Sequence, residues 1–263
     1  MKEIELNDMK KIQLNILKCL DSFCLENNIS YFLSYGTLLG SVRHKGYIPW
    51  DDDIDVCMPR PDYDKFMHSF NEKNNLYKLE TFELDNKFLY TYAKLQDTQT
   101  SLYEEMTIKY PIGVNIDIFP LDGVVDEYWI LKKQKLLRKL ISIKSIKISN
   151  KNSFIKNSVA CVCKLLISII PFRLLVKKMI LNARKNDYKT SDKVCVLVYG
   201  GSEDKPIDKT IFENKMQLPF EGEWYFVPKQ YDLYLTSLFG DYMTQPPAEE
   251  RVSHHSFKAY YKE

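Results

Sequence analysis

The chain has 263 residues, 45% hydrophobic and 27% charged, with a formal net charge of +2. That length suffices for one large domain or two small ones with a well-filled core, and the composition is that of a soluble globular protein. The near-balanced charge speaks against an extensive nucleic-acid surface, and cysteines at 19, 24, 57, 161, 163 and 195, with no Cys-x-x-Cys or zinc-like spacing, read as reduced thiols of a cytoplasmic protein.

The first residues, Met1 to Glu5, carry no apolar h-region and no small-residue cleavage site, so no secretory leader is expected there. Met9, Ile12, Ile16, Leu20 and Phe23 recur at helical spacing, predicting a helix over 8–27, capped by Asn7 or Asp8 and packed on a sheet. The apolar run 29–33 then meets Gly36-Thr37 and Leu38-Leu39-Gly40-Ser41-Val42-Arg43, which reads as a strand-to-helix turn. A helix N-terminus reached through glycine turns backbone N–H groups and the positive dipole end towards a phosphate. Gly36 and Thr37 are therefore candidate phosphate ligands, with Arg43, His44 and Lys45 as cations close by.

Asp51, Asp52, Asp53 and Asp55 crowd four carboxylates into five positions, where like charges repel unless something positive sits among them. Residues 54–58 read as a short strand ended by Pro59 and Pro61. Extended backwards, that strand places Asp51, Asp53 and Asp55 on one face and turns Asp52 away. Hard oxygen ligands of this kind suit Mg²⁺ or Mn²⁺. A calcium loop fits poorly, because Val56 stands at its sixth position and two prolines interrupt the remainder. A solvated acidic turn is the plainer alternative, and the alternation with Ile54 and Val56 weighs against it.

Pro61 opens a second helix with acids in its first turn, and 77–104 reads as extended, including alternation over 89–95. Lys94 lies on that segment, either contacting a phosphate or snorkelling at the surface. In Gly113-Val114-Asn115-Ile116-Asp117-Ile118-Phe119, Asp117 interrupts an apolar run typical of a doubly covered strand, so it needs a metal, a cation or several hydrogen bonds. Beside the Asp53–Asp55 strand it would complete a three-carboxylate site, although spacing alone does not establish adjacency. Asp122 sits in turn chemistry and reads as structural.

Helices are expected over 127–148 and 154–169, with a new start after Pro171. The apolar stretch 159–170 is interrupted by Lys164 and falls short of the ~20 residues of a membrane-spanning helix. It reads as a buried helix of an insertion or cap, with a basic amphipathic helix over 158–176 resting on a membrane surface as the alternative. Strands follow over 193–199 and 224–228, then a helix over 230–239 stopped by Gly240, and His254 and His255 near the end.

Gly36-Thr37-Leu38-Leu39-Gly40, Arg43-His44-Lys45-Gly46 and Ile48-Pro49-Trp50-Asp51-Asp52-Asp53-Ile54-Asp55, followed by Ala93-Lys94-Leu95, Asn115 to Asp122, Gly240 to Met243 and Pro246-Pro247, resemble the LicD family. These are bacterial transferases of phosphocholine and related groups, similar to the fukutin-related proteins. The likeness is strong over 30–125 and looser towards the C-terminus. It implies an α/β (α+β) fold with a nucleotidyltransferase-like mixed sheet flanked by helices. The core would lie in 1–125, a helical insertion in 126–190, and a part completing core and site in 191–263.

The same resemblance implies catalytic Asp53, Asp55 and Asp117, and a metal set of these with Asp51, holding Mg²⁺ or Mn²⁺, two ions in the fullest case. Lys94, His254 and His255 join Gly36, Thr37, Arg43, His44 and Lys45 as donor- or phosphate-binding candidates. The implied reaction passes phosphocholine from CDP-choline to a sugar hydroxyl of a teichoic acid, lipopolysaccharide or capsule precursor and releases CMP, in the cytoplasm or at the inner face of the membrane. CDP-ribitol, CDP-glycerol or CDP-ethanolamine would serve the same chemistry, and a catalytically silent metal- or glycan-binding module is the reading from another class. A choline head calls for an aromatic cage, and the 18 tyrosines do not reveal which of them converge.

Overall fold

The computed structural model describes residues 2–74, 76–104, 110, 112–145, 169–199, 205–252 and 257–262. In chain order the elements are β1 (Glu3–Ile4), α1 (Leu6–Glu26), β2 (Phe32–Leu33), α2 (Tyr35–His44), β3 (Asp55–Pro59), α3 (Arg60–Lys73), β4 (Tyr77–Glu80), β5 (Ala93–Asp97) and β6 (Thr100–Glu104). Then come β7 (Asn115–Val124), α4 (Glu127–Ser145), α5 (Phe172–Ala183), β8 (Lys193–Cys195), β9 (Ile207–Asp208), β10 (Lys215–Phe220), β11 (Glu223–Pro228), α6 (Tyr231–Phe239) and β12 (Phe257–Tyr261).

The fold is mixed α/β, as the sequence implies. Its main sheet runs β2-β3-β7-β5-β4, with β8 pairing the far end of β7 and β9 pairing β8. Of these pairs only β3 and β7 are parallel. Parallel neighbours need a long crossover rather than a tight turn. Here α3, β4, β5 and β6 intervene, and β7 is inserted between β3 and β5.

Helix α1 buries Met9, Gln13, Ile16, Leu17, Leu20, Phe23 and Cys24 on one side. Phe23 meets Phe66 and Phe70 of α3 edge-on, at centroid distances of 5.5 and 5.0 Å, so the two helices join over the sheet. Each such ring contributes about 1.5–3 kcal/mol through burial. Glu5, not Asn7 or Asp8, occupies the N-cap position of α1, with its carbonyl accepting from Met9 N–H at 2.9 Å.

Several boundaries differ from expectation. The strand expected over 89–95 begins only at Ala93, because Phe88 turns inward against Tyr90 and Tyr110 in a separate small core. That expected over 193–199 stops at Cys195, where Leu197 N–H folds back onto the Cys195 carbonyl at 3.0 Å. Asp122 lies within β7 rather than in a turn. The strand expected over 224–228 is β11, and its hairpin partner β10 was not anticipated; their two-residue turn, Glu221 at φ 50° and Gly222 at φ 84°, has the left-handed backbone such turns require.

Helices α4 and α5 pack together, with Gln134 donating to the Met179 carbonyl at 3.0 Å. The helix expected over 154–169 lies outside the described residues but for its last residue, as does the 158–176 segment up to 168. Among the described residues no helix is long and apolar enough to cross a membrane.

Candidate active site

Asp55 opens β3, and the parallel register sets it directly against Asp117 of β7. Residues in register on adjacent strands project to the same face, with backbones about 4.8 Å apart. The join is closed by Asp117 N–H donating to the Ile54 carbonyl at 2.9 Å. The adjacency that spacing left open is thus present.

The segment before β3 departs from expectation. Residues 51–54 are a loop rather than a continuation of the strand, so alternation does not govern them. Asp51 N–H closes a turn onto the Ile48 carbonyl at 2.9 Å, and Asp52 N–H bonds Asp51 Oδ1 at 3.2 Å. Carboxylate oxygens of Asp51, Asp52 and Asp53 consequently lie within 4.8 Å of one another, and Asp52 joins the cluster instead of turning away.

Gln13 holds this loop in place and was missed at the level of sequence. It is 3% exposed on α1, and its Nε2 donates to the carbonyls of Asp52 at 3.0 Å and Asn115 at 3.4 Å. Tyr47 OH donates to Gln13 Oε1 at 3.1 Å. The available signal was a lone amide on the apolar stripe Met9, Gln13, Ile16, Leu20.

Burial, then the charges of Asp53, Asp117 and Asp51, push the Asp55 carboxyl well above the ordinary carboxylate range, with Lys94 acting in the opposite sense. Lys94 stands opposite Asp117 on β5, and its Nζ is 2.6 Å from Asp117 Oδ1 and 3.1 Å from Asn115 Oδ1. At 5% exposure it is no snorkelling surface lysine, and its ammonium is engaged with a carboxylate of the cluster. Among the described residues, the carboxylates of Asp51, Asp53 and Asp117 act on Asp55, with the Lys94 ammonium beside them. A set made of hard oxygens suits Mg²⁺ or Mn²⁺ in charge and chemistry.

The start of α2 abuts this cluster. A Cβ on Gly36 would lie 2.6 Å from Asp51 Oδ2, so only glycine lets that carboxylate approach. Thr37 is buried, and its Oγ1 accepts from Asp55 N–H at 2.8 Å, tying α2 to the first residue of β3. Gly36→Ala is expected to displace Asp51 and weaken Mg²⁺ binding by about tenfold, read as the Mg²⁺ dependence of the melting temperature. Alanine suits a helix better than glycine, so an unchanged Mg²⁺ response in a folded variant would remove Asp51 from the metal set.

Arg43, His44 and Lys45 stand at the other end of α2, about 10 Å along its axis from Gly36. Arg43 donates to His44 Nε2 at 3.0 Å and to the Tyr242 carbonyl at 3.1 Å. Burial and the charge of Arg251 lower its pKa; burial, then Arg43, lowers that of His44. Arg251 in turn lies over the Trp50 ring at 5.6 Å. Lys45 is exposed, in left-handed backbone at φ 59°. The carboxylates thus adjoin the first turn of α2, and the basic side chains gather at its other end around Trp50, the residue that precedes Asp51. His254 and His255 lie outside the described residues.

The family described as LicD/FKTN/FKRP, nucleotidyltransferase domain, matches residues 28–139. Over 273 aligned residues, covering 99% of both chains, the protein is 35% identical to the lipopolysaccharide cholinephosphotransferase LicD of Haemophilus influenzae. It is also 29% identical over 116 residues to an uncharacterized protein of Rickettsia prowazekii, covering 37% of this chain and 44% of that one.

Proposed function

This chain belongs to the LicD family, and we propose that it transfers phosphocholine from CDP-choline to a sugar hydroxyl of a lipopolysaccharide, releasing CMP. The pairing of Asp55 with Asp117 inside a carboxylate cluster carries the chemistry, and the relative named a lipopolysaccharide cholinephosphotransferase supplies the transferred group and the acceptor. In this reaction the acceptor oxygen bonds to the choline-bearing phosphorus, the bond from that phosphorus to the CMP oxygen breaks, and the hydroxyl proton leaves.

Asp51, Asp53, Asp55 and Asp117 would hold one or two Mg²⁺ or Mn²⁺ ions, which supply charge neutralisation for the diphosphate and for the transferring phosphoryl group. The remaining roles fall to the chain itself. Lys94 orients Asp117, Thr37 fixes the backbone of Asp55, and Gln13 holds the Asp52 loop. The first turn of α2 turns its N–H groups and positive dipole end towards an anionic donor. A carboxylate of the cluster takes the acceptor proton.

The test is calorimetric titration with CDP-choline, CDP-ribitol, CDP-glycerol and CDP-ethanolamine, with and without Mg²⁺, repeated on Asp53→Ala. Selective binding of CDP-choline that needs both Mg²⁺ and Asp53 is the expected result. Preference for another donor would change the transferred group, and binding of none would remove the donor class.

A further inference from the structure

Four aromatic rings converge beside the carboxylates from distant parts of the chain. Tyr35 immediately precedes Gly36 at the start of α2, Tyr92 immediately precedes β5, and Tyr199 follows β8. Phe119 stands two residues beyond Asp117 in β7, and so on the same face of that strand. Ring centroids lie 4.4 Å apart for Tyr92 and Phe119, 5.4 Å for Tyr35 and Phe119, and 5.7 Å for Phe119 and Tyr199. Tyr199 stands 6.3 Å from Tyr92 and 6.4 Å from Tyr35.

The group runs from the main hydrophobic core, to which Phe119 belongs and against which Tyr35 and Tyr92 pack, out to the surface. Phe119 is 3% exposed, Tyr35 and Tyr92 are partly exposed, and Tyr199 is 40% exposed. Phe119 shares a strand face with Asp117, and the Lys94 ammonium that bonds Asp117 Oδ1 at 2.6 Å also faces the Tyr92 ring, so the rings border the site itself. Tyr35 is held at φ 44°, a backbone region that bulky side chains rarely occupy and that is retained mainly where function uses it. The faces of these rings receive cations: Lys94 Nζ lies 5.6 Å from the centre of Tyr92, and the Arg138 guanidinium 4.6 Å from that of Tyr199. Arg138 also donates to the Tyr199 carbonyl at 3.0 Å, which ties Tyr199 to α4.

A quaternary ammonium has no N–H to donate, so a protein holds it by aromatic faces in a negative field rather than by hydrogen bonds. We propose that Tyr35, Tyr92, Phe119 and Tyr199 form the subsite for the trimethylammonium head of the donor, seated against the carboxylate cluster. This rests on the phosphocholine reading and identifies the residues that would select choline over uncharged head groups.

The experiment compares CDP-choline with its uncharged isostere, the CDP ester of 3,3-dimethylbutanol, by calorimetry in Mg²⁺. Wild type is expected to bind the choline donor about tenfold more tightly. Tyr92→Leu and Tyr199→Leu should each bring that ratio to about threefold or less, while Tyr92→Phe and Tyr199→Phe, which keep the ring face, should retain it. Leucine variants that keep the wild-type ratio, or a wild type that does not distinguish the two donors, would overturn the cage and leave the phosphocholine reading standing. A wild type that binds neither ester but binds another CDP-linked donor would overturn that reading and the cage with it.

Discussion

Asp55→Asn is expected to lower kcat/KM by about a thousandfold or more, and at the same time to raise the melting temperature of the metal-free protein. The two effects share one cause. The Asp55 carboxylate is desolvated and repelled by Asp53, Asp117 and Asp51, so its charge opposes folding wherever no cation is bound. An amide of the same shape removes the repulsion, worth about 1–2 kcal/mol, or several degrees in a chain of this size. Excess Mg²⁺ should reverse the order, because wild type gains about 2.7 kcal/mol at a hundred times its Kd and the variant gains little. Thermal unfolding in EDTA and in Mg²⁺, with steady-state transfer assays, measures both. A variant destabilised in EDTA, or one that still turns over, would end this account of Asp55. Asp117→Asn separates the terms: it should also abolish transfer, yet without a gain in stability, since it removes the carboxylate charge 2.6 Å from the buried Lys94 ammonium.

The second large effect falls on stability alone. Asp122 is buried and accepts from Arg60 Nε at 2.7 Å and Nη2 at 3.0 Å, a bidentate pair joining β7 to the start of α3. Asp122→Ala should cost about 3–5 kcal/mol by urea unfolding, because it leaves the Arg60 charge in the interior. Asp64, 3.5 Å from Arg60 Nη1, relieves that only in part. Arg60→Met combined with Asp122→Leu should recover most of the loss, since an apolar pair of similar volume avoids the desolvation. Transfer per folded molecule should persist in Asp122→Ala, as the pair lies about 17 Å along β7 from Asp117. Loss of transfer in a folded Asp122→Ala would instead place Asp122 in the chemistry. A double variant no more stable than the single one would show that the pair does more than neutralise itself.

Both predictions turn on where local patterning stops. The turn at Gly36, the acidic run ending in Asp55, the apolar strand around Asp117 and the stripe of α1 were legible because each is a signal within one segment: turn chemistry, charge density, or a period of 2 or 3.6. The resemblance to the LicD family rested on the same contiguous stretches. Patterning misjudged Asp52, because strand alternation was carried back across residues that form a loop.

By itself, then, the sequence determined which segments are helix or strand in outline, that carboxylates are concentrated between Asp51 and Asp55, and which family the chain resembles. Only the tertiary structure decided that Asp55 and Asp117 stand in register, that Lys94 is buried against Asp117, that Gln13 holds the Asp52 loop, and that rings from positions 35, 92, 119 and 199 meet beside the carboxylates. The physical reason is that periodicity reports which way a side chain points from its own segment. Contacts between segments many tens of residues apart are set by the pairing and packing of whole elements, here the insertion of β7 between β3 and β5.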